Sequence, residues 1–127
     1  MSTKLIKIVF VIAAIYDLVL GFASLVAGPQ LFRLFNVTPP NHWGYIEFPA
    51  LLIVIFGIMF LRIAADPVGR VELIHYAMAL KAAYCGVVFW SDIIGSIPKV
   101  WAIFAWVDLV FFVLFFMAWR SLRPKTA

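Results

Sequence analysis

The stretch Leu73–Trp90, LIHYAMALKAAYCGVVFW, is apolar enough to cross a membrane, yet it carries Lys81 at its middle. An ammonium near the bilayer midplane is costly unless it is paired or wet. Two further apolar stretches each hold one carboxylate at a similar depth, Asp17 and Asp108. Taking about 1.5 Å of rise per residue, Asp17 falls roughly 15 Å beyond Lys7, Lys81 roughly 12 Å beyond Leu73, and Asp108 roughly 16 Å before Trp119. All three converge near mid-bilayer. The chain therefore reads as a membrane bundle assembled around an intramembrane charge cluster of Asp17, Lys81 and Asp108.

Composition agrees with that class. Of 127 residues, 66% are hydrophobic, more apolar surface than a soluble domain of this length can hide. A span needs about 20 apolar residues, so spans at about 4–26, 44–65, 70–92 and 99–119 use nearly the whole chain. The expectation is one integral membrane domain over 1–127, with the bilayer as its first partner and no soluble catalytic module. The net charge of +4 does not indicate nucleic acid, because the basic residues gather at span ends. The single cysteine, Cys85, lies inside the third span, which excludes a disulfide framework or a CxxC redox pair.

Lys4 and Lys7 before an apolar run could open a secretory signal with a cleavage site at Gly21-Phe22-Ala23, but Asp17 inside the run argues for a retained helix. Gly28-Pro29 is expected to end this helix. Leu31–Val37 then forms a short amphipathic piece suited to the headgroup region. Thr38-Pro39-Pro40-Asn41 is a stiff turn before the second span. Asp66-Pro67 reads as the start of the next helix, with Asp66 as its N-cap. Ser91–Pro98 reads as a loop, and Lys99 opens the fourth span. The predicted fold is all-α: a transmembrane four-helix up-down bundle with a short interfacial amphipathic segment after the first helix.

Orientation follows the basic residues. Lys4, Lys7, Arg62, Arg70, Arg120, Arg123 and Lys125 fall on one side, and only Arg33 and Lys99 on the other. Both termini are thus expected in the cytoplasm.

Residues beside the charges extend the candidate site. Ala13, Ala14, Gly21 and Ser24 share the face of Asp17, and small residues let membrane helices approach closely. Ala77, Met78, Cys85 and Val88 flank Lys81, with Tyr84 beside it, while Trp101, Phe104, Phe111, Phe112 and Phe115 flank Asp108. Glu47, Tyr84, Trp106 and His75 are further candidates for a ligand or proton path. For Glu47 the alternative is a carboxylate that reaches interfacial water. For His75 it is a snorkelling pair with Glu72, and for Trp106 it is core packing. His42 and His75 fall on opposite sides of the bundle, and no HxxxH or ExxH spacing occurs, so no metal site and no cofactor are expected.

The cluster admits three meanings, one of them contact with another chain. A buried ion pair can fix helix register. Two carboxylates sharing one lysine also leave one in charge excess, which makes it a proton-relay or ligand-site candidate.

The stretch from Tyr16 to Phe35, YDLVLGFASLVAGPQLFRLF, resembles the first-helix region of the DoxX-like group of small four-helix bacterial membrane proteins. The second span, YIEFPALLIVIFGIMFL, is compatible with it. The resemblance spans nearly the whole chain in topology and implies a bacterial inner membrane, and kinship with proteins some of which accompany quinone-linked redox complexes. It carries no catalytic residues, and Lys81 maps to no motif of the group.

Three functions are therefore expected to compete. The first is a non-enzymatic accessory or structural subunit of a membrane complex, respiratory or redox, associated with other membrane subunits or with itself. The second is a proton-coupled carrier or proton-conducting oligomer that uses the Asp-Lys-Asp cluster. The third is a membrane enzyme or binder for a lipid or quinone-like ligand.

Overall fold

The computed structural model describes residues 1–123, so the expectation for Lys125 lies outside the described residues. Among the described residues there are four α-helices, α1 Thr3–Leu34, α2 Gly44–Ala65, α3 Ile74–Ile94 and α4 Lys99–Leu122, and a single 3-10 turn at Val71–Leu73. Each of the four is long and apolar enough to cross a membrane. The architecture is the all-α four-helix bundle that the apolar spacing predicts, in a multi-pass membrane class.

α1 opens on Ser2, whose hydroxyl accepts from the Leu5 N–H at 3.1 Å. Gly28-Pro29 does not end it. The backbone instead kinks at Ala27 (φ −133°, ψ 30°), and helix resumes to Leu34. Pro29 falls in the first turn after the kink, where a missing N–H and a fixed φ are tolerated. The helix stops at Asn36 (φ 56°), with the Val37 N–H donating back to the Phe32 carbonyl at 2.8 Å. Asparagine is among the few residues that accept this left-handed position. The amphipathic piece is thus a bent extension of α1. Its Phe32 ring turns inward, edge-on to Trp43 at 5.2 Å and to Trp101 at 6.0 Å.

Two other boundaries differ from expectation. Asp66 terminates α2; its carboxylate accepts from the Gly69 N–H at 3.0 Å and closes a turn. Val68 and Gly69 are poor helix formers, so the turn passes through the 3-10 segment before α3 begins at Ile74. At its far end α3 continues through Ser91-Asp92-Ile93-Ile94, and the loop shrinks to Gly95–Pro98. Gly95 is extended there (φ −158°, ψ 176°), which ends the helix.

The helices run up and down. The Met1 amine donates to the Ser121 hydroxyl at 3.1 Å, which places the start of α1 beside the end of α4. α1 packs along α2, and α3 along α4, more intimately than the two hairpins pack on each other. Gly21 and Gly57 make the α1–α2 contact: a Cβ on Gly57 would stand 2.8 Å from Leu18 Cγ.

The core is densest in the half of the bundle nearest the termini. Ile6, Phe10, Phe60, Ile63, Ile74 and Phe115 are fully buried there. The Phe10 and Phe115 rings stack at 4.5 Å, and Phe60 meets Phe115 edge-on at 5.3 Å. The outer surface is apolar along every helix, with Ile15, Val19, Ile55, Val87 and Val110 exposed. An apolar exterior around buried charge is the inverse of a soluble protein and matches a lipid solvent.

Candidate functional site

Three helices bring the buried charges together. Lys81 Nζ on α3 donates to Asp17 Oδ1 on α1 and to Asp108 Oδ1 on α4, both at 3.0 Å. Lys81 is 1% exposed, Asp17 2% and Asp108 8%. Depth alone does not force this meeting; the helix faces must also agree. They do so because Ala13, Ala14 and Gly21 on α1, Ala77 and Cys85 on α3, and Ala105 and Phe111 on α4 are buried on the same faces as the charges.

An ammonium has three N–H donors, and two are committed to carboxylates. The remaining surroundings are π faces: Lys81 Nζ stands 5.4 Å from the Tyr16 ring centroid, 5.6 Å from Phe60 and 5.3 Å from Phe111. Ring faces carry partial negative charge that favours a cation. Two more bonds tie α3 to α4 just above Lys81. Tyr84 donates its hydroxyl to the Trp101 carbonyl at 3.1 Å, and the Cys85 thiol donates to the Ala105 carbonyl at 3.2 Å.

The cluster has a different neighbour on each side. Toward the termini lies the packed phenylalanine core. In the opposite direction lies a cavity of about 210 Å³ whose lining includes Asp17, Lys81 and Asp108, with Tyr16, Tyr45, Tyr84, Trp101 and Phe104 among its walls. A larger apolar groove of about 440 Å³ runs between the kinked end of α1 and the start of α4. Tyr16, Leu20, Ser24, Phe32, Trp101 and Phe104 line both spaces. Two buried polar atoms of residues lining the cavity, Asp17 Oδ2 and the Tyr16 hydroxyl, have no hydrogen-bond partner in the protein.

The remaining sequence candidates divide. Tyr84 lines the cavity. Glu47 is exposed and outside the lining, although Tyr45, Ile46 and Pro49 around it contribute. His75 is exposed at the end nearest the termini, where its ring meets Trp119 at 5.1 Å. Trp106 is 59% exposed and lies against Phe89 on the outer surface, neither core nor pocket wall. The reason is angular: two residues along a helix turn the side chain by about 200°, so Trp106 points away from the face of Asp108. Accordingly, Trp106→Leu should change thermal stability in detergent by less than about 0.5 kcal/mol, as a lipid-facing surface substitution. A large loss would place Trp106 inside the bundle.

The aromatic face of α4 is divided by Asp108. Trp101 and Phe104 line the cavity, whereas Phe111 and Phe115 belong to the packed half. Phe32 and Tyr45 are cavity residues that sequence reasoning missed as site residues; both come from the chain around the α1–α2 connection. Among the described residues, no group of three or more His, Cys, Asp and Glu is placed to hold a metal ion.

Comparison with family models, curated proteins and solved structures finds no match to this chain. The class is therefore defined by the fold and the charges alone: a four-helix membrane-type bundle with a buried carboxylate–ammonium–carboxylate triad at the floor of a cavity.

Proposed function

We propose that the chain is a multi-pass protein of the bacterial inner membrane, both termini cytoplasmic, whose bundle binds a membrane-dissolved amphipathic ligand of lipid or quinone-like shape. One observation carries this reading: the triad faces a cavity whose aromatic walls continue into an apolar groove. A pocket that is mostly apolar with a few converging polar groups is the usual form of a small-molecule site. The polar head would sit against Asp17, Lys81 and Asp108, and the apolar body along α1 and α4. Tyr16 through Phe35, the stretch that resembles the DoxX-like group, supplies much of this lining, so kinship with that group belongs to the same proposal.

Binding of this kind suits a non-enzymatic accessory subunit that holds a ligand for a larger membrane complex. A proton-conducting role gains less from the geometry, because Phe10, Phe60 and Phe115 pack tightly on the other side of the triad. Purification in mild detergent followed by mass spectrometry of extracted small molecules tests the reading. A retained amphiphile is expected, and Ser24→Phe, which fills the junction of both spaces, should lower its occupancy about tenfold, equivalent to about 1.4 kcal/mol. Equal retention by Ser24→Phe would count against this site.

A further inference from the structure

We propose that the head of the ligand is an organic cation, an alkylammonium; this rests on the ligand-binding reading above. The first argument is charge. The groups facing the cavity are Tyr16 and Asp17 from α1, Tyr45 from α2, Lys81 and Tyr84 from α3, and Asp108 from α4. Two carboxylates stand against one ammonium, and Lys81 Nζ bonds the Oδ1 atom of each. Asp17 Oδ2 has no hydrogen-bond partner in the protein, and Asp108, 8% exposed, is the more open of the two carboxylates lining the cavity, so the pair has acceptor capacity to offer. Surplus negative charge in a dry environment is unfavourable until a proton or a cation joins it, and an ammonium head competes for that place.

The second argument is the wall. Tyr16, Tyr45, Tyr84, Trp101 and Phe104 line the same cavity as the two carboxylates. Rings joined by a carboxylate form the recognition chemistry of ammonium groups, and the attraction strengthens when water is excluded. An anionic head would meet carboxylates in excess. A neutral hydroxyl would satisfy Asp17 Oδ2 but leave the surplus charge and the ring faces unused. The adjoining groove has almost no polar surface, so the cation must carry an apolar chain.

The test uses the full chain in dodecyl maltoside, titrated by calorimetry near neutral pH with decylammonium, whose head carries both the charge and N–H donors, and with 1-decanol and decyl sulfate. The ammonium is expected to bind saturably and at least about tenfold more tightly than the other two. Asp108→Asn removes the surplus charge while leaving the Asp17–Lys81 pair, so the variant keeps a neutral, paired core. It should weaken the ammonium about tenfold and leave decanol unchanged. Tyr45→Leu is a second variant whose side chain is 69% exposed, so folding does not depend on it. It should weaken the ammonium about threefold with little effect on decanol. Decanol or decyl sulfate binding as tightly as the ammonium, or variants that fail to separate the probes, would overturn the cationic head while leaving the ligand site standing. If no probe binds saturably and Ser24→Phe retains as much extracted amphiphile as the parent, the ligand site itself is wrong.

Discussion

Lys81→Met is expected to cost the folded bundle about 3–5 kcal/mol, because removing one partner of a buried ion cluster leaves the opposite charges uncompensated. Two carboxylates, 2% and 8% exposed, would then face each other with no cation between them. Methionine approximates the length of the lysine stem, so the loss reports charge more than volume. Unfolding in mixed micelles should show a large drop for Lys81→Met. Asp108→Asn should cost far less, since the Asp17–Lys81 bond at 3.0 Å survives. The triple variant Asp17→Asn, Lys81→Met, Asp108→Asn should recover much of the loss, because a site made neutral throughout has no unpaired charge to bury. If Lys81→Met were as stable as the parent, the triad would have no role in holding α1, α3 and α4 together.

This asymmetry explains why the charges were the most legible part of the molecule. A lone charge in an apolar run has few places to go in a membrane, so Asp17, Lys81 and Asp108 had to turn inward, and similar depths brought them to one level. The small residues around Asp17 and Lys81 pointed the same way. Trp106 shows the limit of counting along the chain: it is close to Asp108 in sequence but lies nearly half a turn away on α4. The cavity was harder to foresee. Its mouth depends on the kink at Ala27, which carries Phe32 back toward Trp43 and Trp101. Local signals at Gly28-Pro29 announced a break, but whether a break ends a helix or bends it depends on what the following residues pack against. Asp66 does cap the turn that follows it, through the Gly69 and Arg70 N–H groups, but with Val68 and Gly69 in that turn the regular helix waits until Ile74. Sequence could place the triad, yet only the packing of the two hairpins reveals that one side is solid and the other open.

Gly21→Leu should cost about 1–3 kcal/mol, the range for forcing added volume into a packed contact. A Cβ at this position would stand 2.7 Å from Val54 Cγ2, 2.9 Å from the Ala50 carbonyl oxygen and 3.1 Å from Ile53 Cγ1. Val54 and Ile53 could adjust as side chains, but the Ala50 carbonyl belongs to the α2 backbone, so the helices themselves must separate. The displacement would not stay local. Gly21 lies one turn from Asp17, and moving α1 away from α2 shifts the carboxylate that Lys81 bonds. Gly86 supplies the comparison, because a Cβ there meets nothing within 4 Å. Gly86→Leu should therefore be close to neutral, or stabilising by a few tenths of a kcal/mol through helix propensity. Measured by the same unfolding assay, Gly21→Leu should fall well below the parent while Gly86→Leu does not. Equal behaviour of the two variants would mean that α1 and α2 do not meet at Gly21, and that close helix approach is not what positions Asp17 for the triad.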